Sequence, residues 1–99
     1  MNITIIDKAV NWYRTELNLK PGESLRFFVR YGGNSSIQSG FSLGVTKDQP
    51  QNIGGSTAAG GMNFFVEEQD LWYFDHHNLH VDFNEKENEP SFHYEKAAE

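Results

Sequence analysis

The sequence predicts an α+β fold that is mostly β, built mainly from antiparallel strands, with one main helix near the N-terminus and room for a short second helix. Two patterns carry this prediction: apolar residues recur every three or four positions over residues 8–17, and they alternate with polar residues in several later stretches. The eight Phe, four Tyr and two Trp residues supply the bulky apolar surface that a folded core needs. A chain of 99 residues has room for one compact domain, which we place at residues 1–99.

The N-terminal elements are a short strand and the main helix. Ile3 and Ile5 alternate with polar neighbours, which is typical of a strand, and Asp7 follows in the position of a helix N-cap. The one-sided apolar stripe over residues 8–17 predicts the helix. We expect it to end before Pro21-Gly22, because this pair stops helices.

Period-two alternation predicts the strands. The clearest strand points Leu25, Phe27, Val29 and Tyr31 to one side, and we expect the glycine-bearing segment 32–36 to end it. The predicted strands cover residues 25–31, 41–45, 63–67, 79–83 and 92–94.

The glycine-rich stretch over residues 53–61 is too flexible for a stable helix or a central strand. It does not match a phosphate-binding P-loop, because Gly61 is followed by Met62 and not by Lys and Ser or Thr. We therefore predict a surface connection or an irregular strand pair.

The densest aromatic feature is Leu71-Trp72-Tyr73-Phe74. Periodicity cannot assign so short an apolar run to a strand or a helix, and four consecutive bulky residues cannot all face inward. We place Leu71 and Phe74 in the core. Trp72 or Tyr73 is then expected at a partly exposed or oligomeric contact, where aromatic residues are favoured.

The chain is acidic, with a net charge of −6, and residues 67–99 hold ten of the fourteen acidic residues. Such a charge argues against nucleic acid as a partner. No apolar run approaches the roughly 20 residues of a membrane span, and the N-terminus does not resemble a signal peptide. We expect a cytoplasmic protein with no membrane partner.

The chain has no cysteine, so thiolate metal sites, cysteine nucleophiles and cysteine-ligated clusters are excluded. We expect no bound metal and no cofactor. The alternative is a zinc or iron site of His77, His80 and Asp82, since His80 and Asp82 share a strand face and His77 lies in the turn before them. Histidines solvated at a turn would explain the same pattern.

No catalytic motif stands out, because the chain lacks a Gly-x-Ser-x-Gly elbow and because Glu67, Glu68 and Asp70 are expected to be solvated. The polar residues of the segment 34–39, together with the glycine-rich stretch, leave a small hydrolase or isomerase open. That hypothesis requires a pocket that brings Asn34, Ser35 and a histidine within hydrogen-bond reach.

Three segments carry a family resemblance: residues 3–10, residues 25–36 and residues 71–83, the last ending Leu79-His80-Val81-Asp82-Phe83. The chain resembles the HesB-like, A-type iron–sulfur carrier (IscA-like) domain family, and more closely its small cysteine-free YneR-like branch, over about residues 2–94. The resemblance implies a small β-rich domain with a helix packed on it. It also favours a short helix over the run at residues 71–74.

The ligand positions of that family differ in this chain. Its carriers place a cysteine just after the glycine of the first loop, where Asn34 stands here, and a neutral amide is a poor substitute for a thiolate on iron. They also end in a Cys-Gly-Cys tail, whereas this chain is expected to stop before such a tail, at Lys96-Ala97-Ala98-Glu99. We therefore predict a non-enzymatic binding protein with a protein partner, and a homodimer stays open. The alternatives are a His/Asp-based iron or zinc binding protein linked to iron–sulfur assembly, and the small hydrolase or isomerase.

Overall fold

Two β-sheets, one main helix and one short helix make up the part of the chain that the computed structural model describes, residues 1–97. Ala98 and Glu99 lie outside the described residues, and with them the predicted end of the domain. Within residues 1–97, no helix has the length and apolar character needed to cross a membrane. The elements are β1 (Ile3–Ile5), α1 (Asp7–Glu16), β2 (Ser24–Asn34), β3 (Ser39–Lys47), β4 (Ile53–Ala59), β5 (Met62–Glu67), a 3-10 turn (Glu68–Asp70), α2 (Leu71–Phe74), β6 (His77–Asn84) and β7 (Glu89–Lys96).

The strands form a three-stranded sheet in the order β1-β6-β7 and a four-stranded sheet in the order β3-β2-β5-β4. The pairs β2–β3, β4–β5 and β6–β7 are antiparallel. The pairs β1–β6 and β2–β5 are parallel. The predicted α+β, mostly β class with mainly antiparallel pairing is confirmed.

The core joins the helix to both sheets through aromatic side chains. Tyr13 of α1 lies edge-on to Phe27 of β2, with 6.0 Å between ring centroids. Phe27 also stacks on Phe64 of β5 at 6.3 Å and meets Phe92 of β7 edge-on at 5.8 Å. Because Phe27 contacts the helix and a strand of each sheet, these elements form one packed interior.

The predicted N-cap at Asp7 is wrong. The helix begins at Asp7 itself, Ile6 occupies the cap position in an extended conformation, and no side chain caps the helix. The backbone N–H of Ile6 donates to the carbonyl oxygen of Val81 in β6, at 3.1 Å. Pairing of the first strand with β6 therefore fixes where the helix starts, and Asp7 adds a favourable charge in its first turn.

The predicted break at residues 32–36 is also wrong in detail, because β2 continues to Asn34. Gly32 and Gly33 adopt φ values of +113° and +69°, and the pairing with β3 shifts register between Tyr31 and Asn34. The glycines thus bend the hairpin without ending it.

The glycine-rich stretch forms β4, an edge strand with a register shift between Ile53 and Gly55. This agrees with the predicted irregular strand pair. A Cβ atom on Gly55 would lie 2.6 Å from Cγ of Met1 and 2.9 Å from the Met1 carbonyl oxygen. Glycine is therefore required here because the N-terminus lies directly against this strand.

Candidate functional site: an exposed aromatic surface

Three aromatic side chains form a row on the outside of the protein. Tyr31 of β2 and Phe41 of β3 are directly paired across the hairpin, with 5.7 Å between ring centroids. Phe41 in turn meets Trp72 of α2 edge-on at 5.1 Å. Tyr31 is 92% exposed and Trp72 is 52% exposed, although large aromatic side chains are usually buried. We call Tyr31, Phe41 and Trp72 the aromatic surface.

The short helix α2 explains why Trp72 faces outward. Its four residues complete one turn, so they point to all sides of the helix axis. Tyr73 and Phe74 are buried, Leu71 is partly buried and Trp72 is left outside. The predicted short helix and the buried Phe74 are confirmed, and of the two candidates for exposure the exposed one is Trp72, while Leu71 is less buried than expected.

The chain leading into Trp72 is held by charged side chains, of which Glu67 and Asp70 are buried. Nη2 of Arg26 lies 3.0 Å from Oδ2 of Asp70, and Nη1 of Arg26 lies 3.5 Å from Oδ2 of Asp48. The Glu67 carboxylate accepts hydrogen bonds from the backbone N–H groups of Gln51 (2.9 Å) and Asn52 (2.8 Å). The expectation that Glu67 and Asp70 are solvated is wrong, because both are buried and act as acceptors in this support.

A cavity of about 600 Å³ opens beside Trp72. Its wall includes the turn after α2, where Asp75 and His76 adopt left-handed conformations with φ of +46° and +62°. Nδ1 of His77 lies 2.9 Å from the carbonyl oxygen of Phe74 and 2.8 Å from that of Asp75, so an Nδ1–H proton holds the turn. The cavity is lined by Met1, Leu71, Trp72, Asp75, His76, His77, Asn78 and Ala97.

The predicted metal triplet is not assembled. His80 and Asp82 are neighbours on one face of β6, with 3.9 Å between Nε2 and Oδ2. His77 lies an odd number of positions away from both, which places it on the other side of the strand, and it uses Nδ1 to hold the turn. Within residues 1–97, no three His, Cys, Asp or Glu side chains are grouped so that they could hold a metal ion.

A cavity lies at Asn34 and Ser35, but its described lining lacks the histidine that the hydrolase or isomerase hypothesis requires. The Oδ1 atom of Asn34 accepts hydrogen bonds from the N–H of Gly40 (2.9 Å) and from the hydroxyl of Ser39 (3.4 Å), so the amide closes the hairpin loop. None of the described residues around the cavity of about 270 Å³ is a histidine. They are Asn34, Ser35, Ser36, Ser42, Leu43, Tyr73, Phe92 and Tyr94.

Two tyrosine hydroxyls beside this loop were not singled out by sequence reasoning. The hydroxyl oxygens of Tyr73 and Tyr94 lie 2.8 Å apart. Burial, and then the hydrogen bond to Tyr73, raise the pKa of Tyr94 well above the usual range of a phenol. The Tyr94 hydroxyl is therefore neutral at physiological pH. Tyr73 lies on α2 and Tyr94 on β7, so their contact leaves no signal in the local sequence pattern.

A known protein family matches nearly the whole of the chain. A model of the family described as iron-sulphur cluster biosynthesis matches residues 1–97. The chain belongs to the iron-sulphur cluster biosynthesis family. The resemblance seen in the sequence is confirmed, and this member of the family has no cysteine. At the loop where the carriers place a cysteine, Asn34 has a structural role instead.

Several bacterial proteins of similar length are relatives of this chain. A Bacillus subtilis (strain 168) protein named pyruvate dehydrogenase inhibitor is 56% identical over 95 residues, covering 96% of this chain and 100% of that protein. An uncharacterised protein of Staphylococcus saprophyticus is 40% identical, over 93% of this chain and 97% of its own length. An uncharacterised protein of Staphylococcus aureus (strain USA300) is 37% identical with the same coverage.

Proposed function

We propose that this protein is a non-enzymatic binding protein that inhibits pyruvate dehydrogenase by contacting it through the aromatic surface. The observation that carries the proposal is the row of exposed Tyr31 and Trp72 with the partly buried Phe41 between them. The identity of the partner is supported by the name of the Bacillus subtilis relative, which shares 56% of its residues with this chain.

The chemistry of the aromatic surface favours a protein as partner. Trp and Tyr are the residue types that most often dominate binding energy at protein interfaces, because each buries a large area at a low cost in conformational entropy. The backbone on both sides of Trp72 is held in place, by the buried Tyr73 after it and by the Arg26–Asp70 ion pair just before α2. Little ordering is then required on binding, which favours affinity.

A protein partner, a cytoplasmic location and a possible homodimer are all expected from the sequence, and each has a place in this proposal. The net charge of −6 supports a protein partner over a nucleic acid. A cytoplasmic location belongs to the proposal, because the proposed partner is an enzyme of intracellular metabolism. A second copy of this chain is the competing occupant of the aromatic surface.

The test measures the rate of pyruvate oxidation by the purified pyruvate dehydrogenase complex of Bacillus subtilis while the wild-type protein is added. We expect inhibition that saturates, and we expect Trp72→Ala or Tyr31→Ala to raise the half-inhibitory concentration roughly 10- to 100-fold, as for a truncated interface anchor. Ile53→Ala is the matched control, because Ile53 is a 50% exposed apolar residue on the edge strand β4, outside the aromatic surface. This control should inhibit like the wild type.

Two results would contradict the proposal. One is a wild-type protein that leaves the rate unchanged, and the other is a Trp72→Ala variant that inhibits as well as the wild type. Sedimentation of the free protein tests the competing occupant. A wild-type dimer that becomes monomeric in Trp72→Ala would assign the aromatic surface to self-association and would overturn the proposal.

A further inference from the structure

The outer face of the three-stranded sheet carries a row of polar side chains that the proposed function does not use. Leu79 and Val81 of β6 point inward and are buried, so the residues between them point away from the core. In the register of the sheet, Thr4 of β1 pairs with His80 of β6, and His80 pairs with His93 of β7. One row across all three strands therefore presents Thr4, His80 and His93.

The two imidazoles are close enough to share one ion. They stand directly opposite each other on antiparallel strands, with 6.3 Å between ring centroids and 43° between ring planes. Imidazole nitrogens bind Zn²⁺ at about 2.0–2.1 Å, so two rings on one ion have centres roughly 5–6 Å apart. The observed separation is slightly longer, so the exposed His93 side chain, whose Nε2 lies 3.3 Å from Oγ of Ser91, has to rotate to share an ion with His80.

His80 has the surroundings of an oriented ligand. Its Nδ1 atom lies 2.6 Å from Oγ1 of Thr4, and its Nε2 atom lies 3.9 Å from Oδ2 of Asp82. An ion on Nε2 selects the tautomer in which Nδ1–H donates to the Thr4 hydroxyl, which is how outer hydrogen bonds orient metal-binding histidines. The Asp82 carboxylate places a negative charge beside the ion.

We propose that His80 and His93 chelate a divalent transition-metal ion of the kind that imidazole prefers, such as Zn²⁺, with water in the remaining coordination positions. The site has two protein ligands, and in the described part of the chain no three potential ligands are grouped for a metal ion. The second histidine ligand is therefore His93, which cross-strand pairing places opposite His80, and not His77, which the sequence pattern suggested. The site lies on a different face from the core-facing residues of β6 and is independent of the inhibition proposed above.

The test is calorimetric titration of the tag-free full chain with Zn²⁺ alone. We expect one ion per chain, and we expect His80→Gln and His93→Gln each to weaken binding about tenfold or more, because the second imidazole acts at a high effective concentration. His77→Gln is the matched control and should bind Zn²⁺ like the wild type. Histidine ring resonances in NMR spectra should shift at His80 and His93 only.

Equal zinc affinities of the wild type and His93→Gln would overturn the proposal, and so would a larger loss in His77→Gln than in His80→Gln. Circular dichroism of each variant checks that the fold is retained, as expected for substitutions on an outer sheet face. Inhibition of pyruvate dehydrogenase by His80→Gln without added metal should match the wild type, so failure of the metal site and failure of the proposed function are distinguishable.

Discussion

Adjacent residues Trp72 and Tyr73 have opposite roles. Trp72 is half exposed in the aromatic surface, whereas Tyr73 is fully buried and bonded through its hydroxyl to Tyr94. We therefore expect Tyr73→Ala to lower the free energy of unfolding by about 3–5 kcal/mol, as for a buried aromatic residue. Trp72→Ala should lower it by only about 1 kcal/mol. Urea unfolding curves measure both values, and a larger loss in Trp72→Ala would contradict the assignment of Trp72 to a binding surface.

The buried side chain of Tyr13 makes the stability of the fold depend on pH. Burial, and then the negative charge of Glu89, raise the pKa of Tyr13 above its ordinary value. The folded protein therefore keeps this proton at a pH where the unfolded chain releases it. The resulting stabilisation is complete below the unfolded pKa of about 10 and is lost as pH rises toward the folded pKa.

In the wild type, the free energy of unfolding should decrease as pH rises above 10. We expect this decrease to be smaller in Tyr13→Phe by about 1.4 kcal/mol per pH unit, because the variant has no phenol at this position to titrate. Urea unfolding between pH 8 and pH 11 measures the slope. Parallel curves for wild type and variant over this range would show that Tyr13 titrates normally in the folded protein.

The edge strand β4 depends on glycine where the N-terminus crosses it. Gly55→Ala places a methyl group against the side chain and carbonyl oxygen of Met1, so we expect a loss of about 1–3 kcal/mol from overpacking. Ser56→Ala, at an exposed position of the same strand, should change stability by less than about 0.5 kcal/mol. Thermal unfolding of the two variants compares them, and equal melting temperatures would argue against the close approach of Met1.

The elements that could be predicted from the sequence are those with a local pattern. The stripe over residues 8–17 and the alternation over residues 25–31 each lie within one segment, so periodicity was sufficient to locate α1 and β2. The helix start was misplaced because its position is fixed by pairing with β6, which is distant in the sequence. The parallel pairs β1–β6 and β2–β5 have the same cause and left no signal in the local pattern.

The same limit applies to the candidate sites. It could be predicted that either Trp72 or Tyr73 is exposed, because four bulky neighbours cannot all face inward, but not which of the two. The neighbours of Trp72 in the aromatic surface, Tyr31 and Phe41, could not be predicted, since they come from a hairpin whose tip packs beside α2 only in the folded chain. Proximity in sequence suggested His77 as a companion of His80, whereas cross-strand register supplies His93.

For the whole molecule, membership of the family does not imply that the chain binds an iron–sulfur cluster. The chain belongs to the iron-sulphur cluster biosynthesis family but has no thiolate to hold iron, and Asn34 uses its amide oxygen to close the loop. We expect reconstitution with iron and sulfide to give no stoichiometric chromophore in the visible spectrum. A stable iron–sulfur chromophore at one cluster per chain would contradict this expectation.

We propose that the aromatic surface contacts pyruvate dehydrogenase. Hydroxyl-radical footprinting with mass spectrometry measures it directly, because exposed aromatic side chains are oxidised in the free protein and protected in a complex. We predict that the purified pyruvate dehydrogenase complex of Bacillus subtilis lowers the oxidation rates of Tyr31 and Trp72 several-fold and leaves the rate at Ile53 unchanged. Unchanged rates at Tyr31 and Trp72, or protection at Ile53 instead, would contradict the claim.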